Sequence, residues 1–237
     1  MLRSIKQLYG DKLGASDGEI GHVKDFYFDD QNWAIRYVVA DTGSWLTGRQ
    51  VLISPHSIGR LDQSEKVLRV KLTRKQIEES PSIGLHKPVS RQYEEEYHQY
   101  YGWPAYWQGD GLWGMSGFPV GALPPQSLPD KLAAASGTQP GRADAHLRST
   151  QAVNGYHIKA SDGMIGHVCD FMMDAQSWAI GQLVIKIGHR FSGKEALLST
   201  KTVERISYED STVIVDLTCE AVEHGAGRHT AAVGAAG

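Results

Sequence analysis

The stretch ASDGEIGHVKDF at Ala15–Phe26 returns as ASDGMIGHVCDF at Ala160–Phe171, an offset of 145 positions. The match runs on without a gap in both directions. Gly10 meets Gly155 and Leu13 meets Ile158, while Gly43 meets Gly188 and Gly48 meets Gly193. Leu52-Ile53-Ser54 meets Leu197-Leu198-Ser199, and Val70-Lys71-Leu72-Thr73 meets Val215-Asp216-Leu217-Thr218. A unit of about 75 residues can close a small core of its own, unlike a solenoid repeat. The chain therefore reads as a tandem pair: a first domain at 1–82, a connector at 83–149, a second domain at 150–225 and a disordered tail at 226–237.

Each copy reads as antiparallel β. Asp17-Gly18 and Asp162-Gly163 are tight-turn signals between extended segments. Phe26 and Phe28 lie two apart and share a strand face, with Phe26 and Phe171 as equivalent core residues, but Val23 and Val168 are out of phase with them. A β-bulge near Lys24-Asp25, repeated before Phe171, restores the phase. DDQNW and DAQSW are polar turns, and AIRYVVADTG and AIGQLVIKIG are the strands that follow. About five or six short strands per copy, with turns at regular spacing, predict a small barrel. A short helix follows Thr73, whose spacing to Gln76 is that of a capping box.

Hydrophobic residues make up 41% and charged residues 22%, an ordinary globular balance, so folding of both copies is expected. A formal net charge of −3 gives no general attraction to nucleic acid or anionic membrane. No apolar run reaches the ~18 residues of a membrane helix, and MLRSIKQLYGDKLG is not a signal peptide, so the expected compartment is the cytoplasm. Cys169 and Cys219 form neither a disulfide framework nor a metal-ligand spacing.

The connector holds the densest aromatic pattern. SRQYEEEYHQYYGW reads as a helix capped by Ser90, with Tyr93, Tyr97, Tyr100 and Tyr101 on one stripe. Trp103, Tyr106, Trp107 and Trp113 follow in a Gly- and Pro-rich run. These eight rings are the candidate interaction surface. They serve a ligand or partner, or they pack on a barrel, and residues 93–118 are expected to form the packing surface between barrels, within a chain or across a homodimer. From about Leu123 to Thr150 the chain reads as a flexible tether.

Sharper chemistry finds little support. His22 with Asp25, and His167 with Asp170, leave a metal short of ligands, so no metal and no cofactor are expected. Asp29-Asp30 becomes Asp174-Ala175 in the second copy, which fits turn residues better than a catalytic pair. Arg49 in SWLTGRQ and Lys194 in GHRFSGKE could seat an anion, but a solvated hairpin tip is the better reading. No nucleophile elbow, P-loop or dinucleotide fingerprint is present.

The order D-G-x-x-I-G-x-V-x-D-F, then an apolar strand ending in glycine, then V-L-I-S-P and L-T-x-x-x-I-x-x-S-P, resembles the PRC-barrel domain family. That fold is shared with the cytoplasmic part of the photosynthetic reaction-centre H subunit and with ribosome maturation factor RimM. The second copy has Ser199-Thr200 where the first has Ser54-Pro55, and Ala221 in place of Gln76. The resemblance implies a mainly β chain of two tandem small antiparallel barrels and brings no catalytic residues with it. It implies a non-enzymatic scaffold or adaptor that docks proteins. Separately, the near-neutral charge and the acidic helix disfavour nucleic acid, the lack of a long apolar run argues against membrane insertion, and the two like domains make a homodimer one expected assembly. Two other readings are carried: a ligand- or RNA-associated module using residues 93–118, and, more remotely, a role like that of the reaction-centre H subunit.

Overall fold

The computed structural model describes residues 1–46, 48–58, 66–81, 89, 91–119, 147–188 and 194–227. The Ser90 cap, most of the tether, the hairpin tip at 189–193 and the tail from 228 lie outside the described residues.

The protein is mainly β. The first repeat contributes β1 (Leu2–Ser4), β2 (Lys12–Ala15), β3 (Gly18–Asp29), β4 (Ala34–Asp41), β5 (Gln50–Ile53) and β6 (Val67–Arg69), then helices α1 (Arg74–Glu78) and α2 (Arg91–Tyr101). The second contributes β7 (Leu147–Ser149), α3 (Thr150–Val153), β8 (His157–Ala160), β9 (Gly163–Asp174), β10 (Ile180–Ile187), β11 (Lys194–Ser199), β12 (Val203–Ser207), β13 (Thr212–Val215) and α4 (Cys219–Gly227). One sheet runs β5-β4-β3-β2-β6, with β7 also on β3, and the other runs β11-β10-β9-β8-β13-β12, with β1 also on β9.

The expectation of antiparallel sheets is corrected at one place in each. β6 lies parallel to β2, and β13 parallel to β8. A hairpin forces antiparallel pairing, but these partners are separated by three intervening strands in the first case and four in the second, long enough for a crossover.

Local signals explain the repeated phrase. Asp17 of the first turn accepts the Arg74 amide of α1 at 2.7 Å, and Asp162 accepts the Cys219 amide of α4 at 2.7 Å. The turn aspartate thus also satisfies an orphan N–H of the helix that closes its repeat. Gly21 and Gly166 sit where a Cβ would fall 2.0 Å from the carbonyl oxygens of Asp41 and Lys186, so only glycine fits. The expected bulge is present in the second repeat: Val184 faces Asp170 and Ile185 faces Val168, leaving Cys169 as the extra residue. The Thr73–Gln76 capping box forms in both directions. Phe26, Phe28 and Phe171 are fully buried.

The described residues group into two compact units. One unit holds Met1–Tyr9, Asp25–Ile35 and the residues from Arg148 onward; the other holds Gly10–Lys24 and the residues from Arg36 to Leu147. Their boundaries cut across the repeats. In the first unit β1 pairs with β9 of the second repeat, Leu2 opposite Asp174 and Ser4 opposite Met172. Reciprocally, β7 of the second repeat joins β3 of the first. The two repeats have exchanged their first strands.

The turns between β3–β4 and β9–β10 meet the same way. Ala34 bridges Ala179, its own equivalent. The Ile35 amide donates to the Trp178 carbonyl at 2.9 Å, and the Ile180 amide donates to the Trp33 carbonyl at 2.6 Å. Trp33 and Trp178 hold φ of 53° and 58°. This left-handed conformation costs a non-glycine residue about 1 kcal/mol, here offset by those hydrogen bonds and by burial of Trp178. Phe28 and Phe171 pack at 5.6 Å between ring centroids.

Candidate interaction site

Asp25 anchors the exchange. Its carboxylate accepts the Phe26 amide at 2.7 Å, the Ser149 hydroxyl at 2.5 Å, the Thr150 hydroxyl at 2.9 Å and the Gln151 amide at 3.1 Å. Asp170 repeats the pattern with the Phe171 amide at 2.7 Å, the Lys6 amide at 2.9 Å and the Ser4 hydroxyl. Burial pushes the Asp25 carboxyl above its ordinary range, and the donors from Ser149, Gln151, Phe26 and Thr150 oppose that shift. Both oxygens of Asp25 are occupied by its own chain, and His22 is exposed. Among the described residues no group of three or more His, Cys, Asp or Glu is placed to hold a metal. Asp29 accepts the Gln31 and Asn32 amides as a turn residue, and Asp30 pairs with Arg148 at 2.5 Å.

The candidate aromatic residues lie in the other unit, on the outer face of the first repeat's strands. β4 is buried almost along its whole length, including Arg36, Tyr37 and Val39. Its counterpart β10 alternates, and Gln182, Val184 and Lys186 on the corresponding face stay half-exposed. The covering layer on β4 is α2 with the segment after it. Tyr97 donates to the Leu52 carbonyl of β5, and its ring meets Tyr37 edge-on at 6.0 Å. Trp103 stacks on Tyr101 at 4.3 Å and on His56 at 6.2 Å. Tyr93 donates to the Pro81 carbonyl at 2.8 Å, and Tyr100 and Tyr101 donate to the Gln76 carbonyl of α1.

Under these rings lies a polar cluster that the sequence pattern did not single out. Glu94, fully buried, accepts the Tyr37 hydroxyl at 2.9 Å and the Tyr106 hydroxyl at 2.6 Å. His98 donates from Nδ1 to the Pro104 carbonyl at 3.0 Å, and its Nε2 lies 3.0 Å from the Tyr37 hydroxyl. The Arg36 guanidinium donates to the Leu112 carbonyl at 2.6 Å and sits 3.9 Å from the Tyr106 ring centroid. Burial first, and the Glu94 charge second, push the Tyr37 phenol well above its ordinary range; burial does the same for Tyr97. Such a network specifies one packing arrangement, because each group left without a partner would be costly.

Of the eight rings, Tyr97, Trp103, Tyr106 and Trp113 are buried, Tyr93, Tyr101 and Trp107 are half-buried, and Tyr100 is exposed. The apolar surface lies instead on the loop that follows. Trp113 is 1% exposed, whereas Met115 is 96% and Phe118 54% exposed. The loop is held by the Gly111 amide to the Gly114 carbonyl at 2.7 Å and the Trp113 amide to the Ser116 carbonyl at 2.8 Å. A Cβ on Gly111 would lie 2.6 Å from the Gly114 oxygen, and one on Gly114 would lie 2.8 Å from the Ala105 oxygen. The glycines that punctuate this run therefore allow a close-packed loop, with Trp113 as its root and Met115 and Phe118 at its tip.

Arg49 has a structural partner: it donates to the Glu78 carbonyl at 3.0 Å and the Ser80 carbonyl at 2.5 Å, at the end of α1. Residues 4–77 match the family model of the PRC-barrel domain. No curated protein matches the chain. Among the described residues no helix is long and apolar enough to cross a membrane.

Proposed function

We propose that this chain is a non-enzymatic scaffold, two PRC-type barrels in tandem that dock a protein partner, with the cytoplasm as its compartment. The observation that carries the reading is the loop at 109–118. It is rooted by buried Trp113, tightened by glycines, and presents Met115 and Phe118 to solvent. A rigid apolar tip loses little conformational freedom on binding, which is how a small contact gains affinity. Met adapts its shape to a partner's surface, as in other Met-rich docking sites. The polar groups nearby, Glu94, His98 and Arg36, support this loop from beneath.

A ligand- or RNA-binding role for residues 93–118 needs ring faces open for stacking. Four of the eight rings are buried against the chain's own strands, which favours the docking reading. The test places a photo-crosslinking residue at position 115 of the full chain in cells, with position 209 as a control. One defined protein captured from 115 and not from 209, and lost when Phe118→Asp is added, supports docking. Capture of RNA, or equal capture from both positions, overturns it.

A further inference from the structure

The second repeat carries a cavity of about 670 Å³ on its sheet. It is lined by His157, His167 and Lys186, by Met164 and Ile165, and by three glycines. That volume is within the ~300–1,000 Å³ of small-molecule sites. We propose that it binds a small phosphate-bearing molecule, the phosphate held by His157, His167 and Lys186 and its apolar part set against Met164 and Ile165.

The strand register makes the three nitrogen-bearing side chains neighbours. His157 on β8 is directly opposite His167 on β9, and His167 is directly opposite Lys186 on β10. Directly opposed residues project from the same sheet face, about 5 Å apart. Three strands thus bring three N–H donors to one place, matching the three free oxygens of a phosphate monoester. A neutral imidazole still supplies one N–H, so the site does not require protonated histidines. Among the described residues that line it, none is acidic. On the flanking strands, Glu195 is opposite Lys186 and Thr212 is opposite His157.

The first repeat serves as an internal control. The equivalent positions are Lys12, His22 and Asp41, with Glu19 where Met164 stands and Lys24 where Cys169 stands. There the charges neutralise one another: Lys12 pairs with Glu19 at 3.3 Å, and Lys24 pairs with Asp41 at 3.8 Å. In the second repeat those two acids are gone, Met164 standing for Glu19 and Lys186 for Asp41, while Glu195 opposite Lys186 replaces Gln50. The same framework thus exchanges two lysine–carboxylate pairs for two imidazoles and one lysine beside Met164.

The experiment records imidazole signals of the ¹⁵N-labelled full chain by NMR during titration with inorganic phosphate, phenyl phosphate and benzoate. Signals are assigned with His157→Gln and His167→Gln. The expected result is saturable shifts at His157 and His167 but not His22, phenyl phosphate binding more tightly than phosphate, and benzoate more weakly than phenyl phosphate. Lys186→Asp, which installs the first repeat's residue, is expected to weaken phenyl phosphate about tenfold or more, in line with losing a charged hydrogen bond. Circular dichroism confirms that this surface variant is folded, and Lys186→Gln provides a second variant. Absence of saturable shifts up to about 10 mM ligand, equal response at His22, or unchanged affinity in both Lys186 variants overturns the proposal. Benzoate binding as tightly as phenyl phosphate overturns the phosphate assignment.

Discussion

The Ser149 hydroxyl donates a hydrogen bond to Asp25 at 2.5 Å, and the hydroxyl of Ser4, its counterpart, donates one to Asp170. Each serine ends a strand that belongs to the opposite repeat's sheet, so one aspartate–serine contact is made twice around the joint of the first unit.

The two aspartates are not equally placed, and their replacement should differ accordingly. Asp25 is 8% exposed, whereas Asp170 is half-exposed. Asp25→Ala strands the buried donors of Thr150 and Phe26 and the partly buried ones of Ser149 and Gln151, at a cost of roughly 2–4 kcal/mol. Asp170→Ala should cost less, because water can reach its donors. Urea titration of both variants checks the order, and equal losses would place the two sites in the same environment.

Asp25 should also leave a mark on the pH dependence of stability. Its folded pKa is raised above the ordinary 3.8, mainly by burial, so the folded state holds this proton more tightly than the unfolded state. Stability from this group is therefore complete below 3.8 and declines as pH rises through the raised folded value. Asp25→Asn keeps an acceptor and removes the titration. The wild-type-minus-Asn difference in unfolding free energy should fall with rising pH over that window and then level off. A flat difference, or one that rises, contradicts the assignment.

Gly21→Ala and Gly166→Ala should each destabilise by on the order of 3 kcal/mol or more, since the added carbon meets a fixed backbone carbonyl 2.0 Å away. Gly43→Ala is the control. Its φ is 53°, but nothing lies within 4 Å, so the loss should be about 1 kcal/mol. Thermal unfolding of the three variants distinguishes steric overlap from backbone conformation alone.

Glu94→Ala should cost about 3 kcal/mol or more, because the buried hydroxyls of Tyr37 and Tyr106 lose their acceptor. Glu94→Gln, which keeps an acceptor oxygen, should recover part of that loss. If both variants unfold at the wild-type denaturant concentration, the cluster contributes packing and little else.

Much of each repeat was legible because its causes are local. The Asp-Gly turns, the phase break before Phe171 and the Thr73–Gln76 box each involve residues a few positions apart. The aromatic stripe of α2 was legible as a stripe, but its polar core was not: Glu94 and His98 look like ordinary surface residues until Tyr37 of β4 is placed beneath them. The strand exchange could not be read at all. Leu2–Ser4 and Leu147–Ser149 have the same sequence, LRS, so the local pattern is identical whichever partner each strand chooses. Met115 and Phe118 were hidden for a related reason, since a Trp- and Gly-rich run does not announce which rings turn inward.

The exchanged first strand has a consequence for how the protein is made. β1 leaves the ribosome early, but its partner on β9 is not synthesised until Met172–Asp174. At cellular elongation rates that delay is on the order of ten to thirty seconds. Throughout it the first repeat holds an unclaimed strand and β3 an unfilled edge, the kind of surface that pairs with neighbouring nascent chains. Completion of the joint is therefore a late event in biosynthesis, and a ribosome stalled within the connector would release a chain with that edge still open.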